Sequence, residues 1–250
     1  MIIRFASEKR MLPIKLMTGK IGLLNLKIRD KTNYLTAKKE ERQDHYIYQS
    51  FYLFLMTPQR SARLEEVLAK RQNDLTVVME NVFDPHNVAA IMRTCDAVGV
   101  CEVYAVTDTI PLHKNWGYRS SRSANKWVAL HSYSDKETCI RDIRKKYDLM
   151  LASYIGEGVA SLHETDFTRK TALIFGNEKY GVSETFRLAC DGFFTIPQVG
   201  MIHSLNVSVA CAVTLYEAFR QKSSKGHYYE SRLNDAEMNA IRLDWADNQG

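Results

Sequence analysis

Leu173-Ile174-Phe175-Gly176-Asn177-Glu178-Lys179-Tyr180-Gly181 is the stretch on which the fold turns. Three apolar residues run directly into a glycine-bracketed turn that holds one carboxylate, Glu178. Short continuous apolar runs fit strands buried on both faces, as in a parallel sheet. In an open α/β sheet, the turn beyond a strand's carboxyl end is where ligands bind, and Gly176 and Gly181 permit positive φ or a close ligand approach. An ordinary strand-to-helix turn with a capping Glu accounts for the segment equally well, so its neighbours have to decide.

On either side, strands and helices alternate. Leu75 to Val82, Val103 to Val106, Trp127 to Leu130, Leu149 to Tyr154, Ala172 to Phe175 and Phe193 to Ile196 read as strands. Helical patterns fall between them at 135–146, 183–190 and 204–221, and Asp84-Pro85 starts another helix whose stripe is Val88, Ile91, Met92, Cys95 and Val98, ending at Gly99. Such alternation predicts an α/β fold with a mostly parallel sheet flanked by helices on both faces.

Two further segments carry polar groups suited to chemistry. Asn87-Val88-Ala89-Ala90-Ile91-Met92-Arg93 lies at a helix start directly after a strand. Helical rise and pitch separate Asn87 and Arg93 by roughly 9 Å and turn their side chains about 120° apart, so both can flank a site without touching. Asn offers a donor and an acceptor, and Arg a rigid fork suited to phosphate. A solvated Arg on an amphipathic helix is the plainer alternative. Ile196-Pro197-Gln198-Val199-Gly200-Met201-Ile202-His203-Ser204-Leu205-Asn206-Val207-Ser208 leads into the small-residue helix Val209-Ala210-Cys211-Ala212-Val213. Ser204 is placed at the N-cap with Asn206 just inside, which gathers hydroxyl, amide and free N–H groups at one helix mouth. The small residues allow another backbone to approach closely, although tight core packing explains them as well.

One near match fails. Gly156-Glu157-Gly158-Val159-Ala160-Ser161 follows a strand and approaches GxGxxG, with Glu178 near the position of a ribose-binding acid. Ser161 replaces the third glycine, and the residues after it show no apolar helical period that could present a helix N-terminus to a pyrophosphate. A surface turn is the expectation, and a dinucleotide-dependent oxidoreductase is disfavoured.

The 250 residues, 45% hydrophobic and 25% charged, allow one main domain. Five cysteines form no CxxC pair and seven histidines no HExxH, so neither a zinc site nor a disulfide framework is indicated. No apolar run approaches a membrane span. A soluble, cytoplasmic protein without metal is the expectation. The net charge of +5 is a property of residues 1–55, which hold 11 Lys and Arg against 5 Asp and Glu; the remainder is net −1. Residues 1–55 keep no helical period and read as a poorly structured basic extension. At Met56 the character changes, because Thr57-Pro58 supplies an N-cap and an N1 proline, and Leu64, Val67 and Leu68 then share a helical face. Met56 therefore reads as an alternative start, with a small RNA-binding extension as the competing view. The division is 1–55, 56–222 and a C-terminal tail 223–250.

Taken together, the three segments resemble the SPOUT superfamily of RNA methyltransferases, and within it the TrmH-type tRNA guanosine 2′-O-methyltransferases. The likeness covers about 56–222 and places all three family motifs in order. Leu68-Ala69-Lys70-Arg71-Gln72 and Arg93-Thr94-Cys95-Asp96-Ala97-Val98-Gly99-Val100 are similar too. The resemblance implies a C-terminal deep trefoil knot, a homodimer, and S-adenosylmethionine bent in the knot with its adenine held by backbone around Ser153, Gly176, Ile196 and Leu205. It also implies that Asn87, Glu178, Ser204 and Asn206 shape the site and that Arg93 is the essential arginine. A guanidinium stays protonated at neutral pH, which makes Arg93 a phosphate positioner and charge stabiliser rather than an obvious base.

Contacts to tRNA are expected from two basic clusters, Arg60, Arg63, Lys70 and Arg71, and Lys114, Arg119, Arg122 and Lys126. The second runs without an acidic residue between Thr109 and Ser134 and includes Trp116, Tyr118 and Trp127, aromatics able to stack on bases. A tail as short as 223–250 departs from members with longer C-terminal helical extensions. The leading activity is 2′-O-methylation of guanosine 18 in the tRNA D-loop; the alternatives are ribosomal RNA ribose methylation and a catalytically silent RNA-binding protein on the same fold.

Overall fold

The computed structural model describes residues 57–108 and 124–247, together with the backbone of three strands near the N-terminus. Those strands, β1 (Ile14–Thr18), β2 (Ile21–Arg29) and β3 (Tyr34–Thr36), pair antiparallel in the order β1-β2-β3. They give regular backbone to part of the segment expected to be a poorly structured extension. In the sequence, Leu24, Leu26 and Ile28 alternate with Asn25, Lys27 and Arg29, a period of two that a search for helical periods passes over.

The chain forms two compact units, one made of Met1–Ser61 with Arg242–Gly250 and the other of Ala62–Ile241. Helix α1 spans Pro58–Ala69; Thr57 Oγ1 accepts the Arg60 N–H at its start, and Leu64 and Leu68 are buried. There follow β4 (Leu75–Glu80), α2 (Pro85–Ala97), β5 (Glu102–Val106), β6 (Ala129–Tyr133), α3 (Lys136–Arg144), β7 (Leu149–Ser153), β8 (Ala160–Ser161), β9 (Thr171–Phe175), α4 (Glu184–Ala189), β10 (Gly192–Thr195), α5 (Val207–Ser224) and α6 (Asp235–Asp247).

The larger sheet has the order β6-β5-β4-β9-β7-β10-β8, and every pair in it is parallel. Every residue of β4 and β9 is buried, because each is covered on both faces. One apolar layer joins Val77, Ile91, Cys95, Leu173, Cys211 and Leu215; the opposite layer joins Val78, Ile143, Ile174, Val182 and Phe186. From β4 the chain steps outward through β5 to β6. It then crosses to β7, and β9 enters between β4 and β7. The carboxyl ends of β4 and β9 thus flank a topological switch point.

Several boundaries differ from expectation for local reasons. The first strand of this sheet stops at Glu80, because Asn81 turns to φ 53°. Trp127 and Val128 donate back to the Ala124 carbonyl, continuing the 3-10 turn Ala124–Lys126, so β6 begins at Ala129 instead of Trp127. Gly156 to Gly158 form an exposed turn, while Ala160–Ser161 makes the short edge strand β8. Ser161 then starts a capping box: its Oγ accepts the His163 N–H, and Glu164 accepts the Ser161 N–H at 3.1 Å. The 223–250 tail, given no element from sequence, contains α6.

The last turn of α5 and the segment after it are tied to the amino edge of the sheet. Lys222, fully buried, pairs with Asp74 at 3.0 Å, and His227 Nδ1 lies 3.0 Å from the same carboxylate. Burial pushes the Lys222 ammonium below its usual range, and Asp74 opposes that shift. This leaves the carboxyl edge to the loops that carry the polar motifs.

Candidate active site

The site begins with α2. Asp84 accepts the His86 N–H at 2.8 Å and Pro85 fills the first helical position, so Asn87 enters the first turn pointing at the switch point. Asn87 is 7% exposed. Its Nδ2 donates to Glu178 Oε1 at 2.6 Å, and its Oδ1 accepts from Asn206 Nδ2 at 3.0 Å. Ser208 Oγ lies 3.2 Å from Asn87 Oδ1 and 2.6 Å from Asn206 Oδ1, and with one proton it serves one of them at a time. A carboxylate only accepts, so Glu178 requires the amide face of Asn87 and turns its carbonyl toward the donors. One side chain thereby links three segments separated by 91 and 119 residues.

Asn206 acts as the N-cap of α5, accepting from the N–H groups of Ser208 at 2.9 Å and Val209 at 3.4 Å. This corrects the placement of the cap at Ser204. Ser204 is exposed two residues earlier, in an extended loop, and both residue types cap well; the position of Asn87 selects the one that can reach it.

The Glu178 turn is built from its own backbone. A Cβ on Gly176 would lie 2.2 Å from the Gly181 carbonyl, so only glycine lets the two ends of the turn meet, and Gly181 adopts φ 67°. Asn177 Oδ1 accepts from the N–H of Lys179 at 2.9 Å and of Tyr180 at 3.3 Å, while its Nδ2 donates to the Asn81 carbonyl at 2.9 Å. At the far end of the loop, Ser183 N–H donates to Glu80 Oε2 at 2.9 Å. Glu80 is 1% exposed and shares Lys136, at 2.9 Å, with Asp108. Burial opposes the Lys136 charge, but these two carboxylates outweigh it and hold the ammonium above its usual range. Reading the sequence assigns no role to Asn177, Glu80, Asn81 or Ser208. A polar residue closing an apolar strand, as Glu80 does, is the one signal that points to any of them.

Ser153, Gly176 and Ile196 stand at the carboxyl ends of β7, β9 and β10, which are adjacent or one strand apart in the sheet. Leu205, 37% exposed, ends the loop that begins at Ile196. From Pro197 to Leu205, no hydrogen bond is made with any other described residue. Arg93 lies on the outer side of α2, exposed and with no polar partner among the described residues. Asn87 and Arg93 therefore face different directions, as helical spacing requires.

The basic clusters divide. Arg71 is fully buried, donating through Nη2 to Asp96 Oδ1 at 2.5 Å and through Nη1 to the Val100 carbonyl at 3.0 Å. Its guanidinium is thus engaged inside the fold, anchoring the end of α1 to α2, and is not presented at the surface as the RNA-contact expectation assumes. Arg60, Arg63 and Lys70 are exposed, the last two paired with Glu66 at 2.7 and 3.2 Å. Lys126 is half-buried on its 3-10 turn. Lys114, Arg119 and Arg122 lie outside the described residues.

A family model described as the SpoU rRNA Methylase family matches residues 74–216. A tRNA (guanosine(18)-2'-O)-methyltransferase of Thermus thermophilus is 43% identical over 191 residues, covering 76% of this chain and 96% of that protein. A 23S rRNA (guanosine-2'-O-)-methyltransferase RlmB of Haemophilus influenzae is 33% identical over 159 residues, covering 64% of this chain and 65% of that protein. Among solved structures, the A. aeolicus TrmH/SpoU tRNA modifying enzyme superposes with a TM-score of 0.70 at 36% identity, covering 76% of this chain and 96% of that one. The matched segment holds all seven strands of the parallel sheet and each of Asn87, Glu178, Asn206 and Ser208. The chain belongs to the SpoU rRNA methylase family.

Proposed function

We propose that this chain transfers the methyl group of S-adenosylmethionine to the ribose 2′-hydroxyl of guanosine 18 in tRNA. The observation that carries this reading is the convergence of Asn87, Glu178, Asn206 and Ser208 at the switch point of the sheet. The substrate follows from likeness to a tRNA guanosine-18 enzyme over 76% of the chain.

The residues present fit the cofactor. Nine consecutive residues, 197–205, keep their backbone groups free of partners among the described residues, beside Ser153 and Gly176 at neighbouring strand ends. Backbone donors and acceptors of that kind suit an adenine ring. In this reading Ser153, Gly176, Ile196 and Leu205 hold it, and the loops after β7, β9 and β10 form the deep trefoil knot. Bound S-adenosylmethionine supplies a methyl group made electrophilic by its sulfonium charge.

The chain's own residues supply position. Arg93 offers its two-pronged donor set to an RNA phosphate and stabilises charge at the ribose oxygen. Asn87 and Asn206 fix the Glu178 loop against the start of α5, so hydroxyl and methyl meet in line; much of the acceleration comes from that alignment. Ser204, exposed in the mouth of the site, is left to contact cofactor or ribose. Arg60, Arg63, Lys70 and the basic run from Lys114 through Arg119 and Arg122 to Lys126 neutralise tRNA phosphates.

A second copy of the chain completes the assembly in this reading. Val209, Val213 and Tyr216 expose 47%, 40% and 55% of their surface along one stripe of α5, and Val199, Met201 and Ile202, in the loop before it, expose 106%, 94% and 74%. Apolar exposure of that extent marks an interface. No described helix is long and apolar enough to cross a membrane; in this reading tRNA is met in the cytoplasm.

Incubation with tritiated S-adenosylmethionine and, separately, unmodified tRNA and ribosomal RNA transcripts, followed by nuclease mapping, tests the assignment. Label in 2′-O-methylguanosine at position 18 is expected. Label confined to ribosomal RNA would move the substrate, the outcome that the likeness to the 23S rRNA enzyme favours.

A further inference from the structure

We infer that Asn177 is a positioning residue for the Glu178 loop, acting through its hydrogen bond to the main chain at Asn81; the inference rests on the methyl-transfer reading above. Glu178 reaches Asn87 at 2.6 Å from the middle of an exposed turn. Such a turn has little burial of its own to hold it, so its position must be imposed from its ends. The carboxyl-terminal end is held by Ser183 N–H on the buried Glu80. The amino-terminal end is held by Asn177.

Asn177 does two separable things. Its Oδ1 organises the turn internally by accepting from Lys179 and Tyr180. Its Nδ2 reaches outside the turn, to the Asn81 carbonyl. Asn81 is the only non-glycine residue with positive φ among the described residues, at 53°, and its N–H donates to the Val106 carbonyl at 2.8 Å. Asparagine adopts that left-handed region more readily than other non-glycine residues, so the turn forms here at little cost. Here the left-handed turn aims a main-chain carbonyl at the Glu178 loop.

Position along the chain gives the bond its meaning. Asn81 follows β4 directly, and the same connection runs through Asp84 into α2 and Asn87. The Glu178 loop is therefore fastened to one connection at two points: Asn177 to Asn81, and Glu178 to Asn87. With the first released, Glu178 must find Asn87 from a loop free to pivot. A displacement of about 1 Å at such a site costs up to about a hundred-fold in rate.

The test compares Asn177→Ala and Asn177→Asp with the unaltered protein in single-turnover methylation of unmodified tRNA, alongside the KM for S-adenosylmethionine and thermal unfolding. Asp keeps the two internal acceptor bonds and loses the donor to Asn81, so it isolates the tie. Both variants are expected to lose about ten-fold or more in single-turnover rate, with KM changed by less than about three-fold and a midpoint within about 3 °C. A full rate in Asn177→Asp would overturn the inference, since the internal turn alone would then suffice; so would Asn177→Ala within two-fold of the unaltered protein, or losses in proportion to instability. An unaltered protein that methylates no tRNA would instead sink the reading on which the inference rests.

Discussion

Arg71 provides the sharpest test of how charge is used in this chain. Replacing it with Ala removes a guanidinium that is fully buried, bonded to Asp96 at 2.5 Å and to the Val100 carbonyl at 3.0 Å. Breaking a buried ion pair from one side costs about 3–5 kcal/mol, because the surviving charge is stranded. The Asp96 side chain is 36% exposed, so water relieves part of that penalty. The Val100 residue is fully buried, and its orphaned carbonyl costs about 1–3 kcal/mol. The low end applies, roughly 3 kcal/mol, or a fall in midpoint of roughly 6–12 °C for a domain of this size. Thermal unfolding followed by circular dichroism measures that fall. Affinity for tRNA as a function of salt measures the competing role: every phosphate that a side chain neutralises adds about 0.9 to the steepness of log affinity against log salt. The expected result is a lowered midpoint with an unchanged slope. An unchanged midpoint with a slope shallower by about one unit would refute the argument and return Arg71 to the RNA surface.

Three other outcomes follow from the geometry. Arg93→Lys keeps the charge and loses the fork, so tRNA methylation is expected to fall about ten-fold or more while S-adenosylmethionine affinity holds; near-full turnover would sink the phosphate-positioning role. Gly176→Ala places a methyl 2.2 Å from the Gly181 carbonyl, so the turn must open. Calorimetry is expected to show weakened cofactor binding, with roughly 1–3 kcal/mol of stability lost, and unchanged binding would contradict the close turn. For Glu102, burial opposes ionisation, but hydrogen bonds from His131, Lys146 and Tyr104 outweigh it and lower its carboxyl from 4.5 to about 2. A lowered folded value stabilises above the unfolded value, so roughly 3 kcal/mol present at pH 5 and above drains away as pH falls from about 4.5 to 2. Denaturant titrations of the unaltered protein and Glu102→Gln across that range check it: the gap between them should narrow toward pH 2, and a constant gap would exclude the linkage.

How far the sequence announces all this varies element by element. Helix α2 is plain, because Asp84, Pro85 and Gly99 punctuate it and its apolar stripe keeps a 3.6-residue period. The central strands β4 and β9 are plain for the opposite reason: burial on both faces leaves uninterrupted apolar runs. The N-terminal strands escape a helical search because their period is two. Asn87, Glu178 and Asn206 can be named as motif members, yet nothing local shows that Asn87 joins the other two, since that contact depends on β9 entering beside β4. Arg71 misleads on similar grounds. A basic residue at the end of a helix looks solvated until Asp96, 25 residues later, is folded against it. Asn206 is preferred over Ser204 as a cap by a partner 119 residues away. Periodicity and punctuation report on neighbours along the chain; the polar contacts of this site are between strangers.

That separation governs when the site can exist during synthesis. Asn87 and Ser208 are 121 residues apart, and at about 5–20 residues per second a ribosome takes roughly 6–24 s to deliver the second after the first. Through that interval the nascent chain presents Asn87 and later Glu178, but not the start of α5 that joins them. The Asn87–Glu178 contact can form first, but its bonds to Asn206 and Ser208 wait for α5, so the polar cluster is completed only when that helix docks.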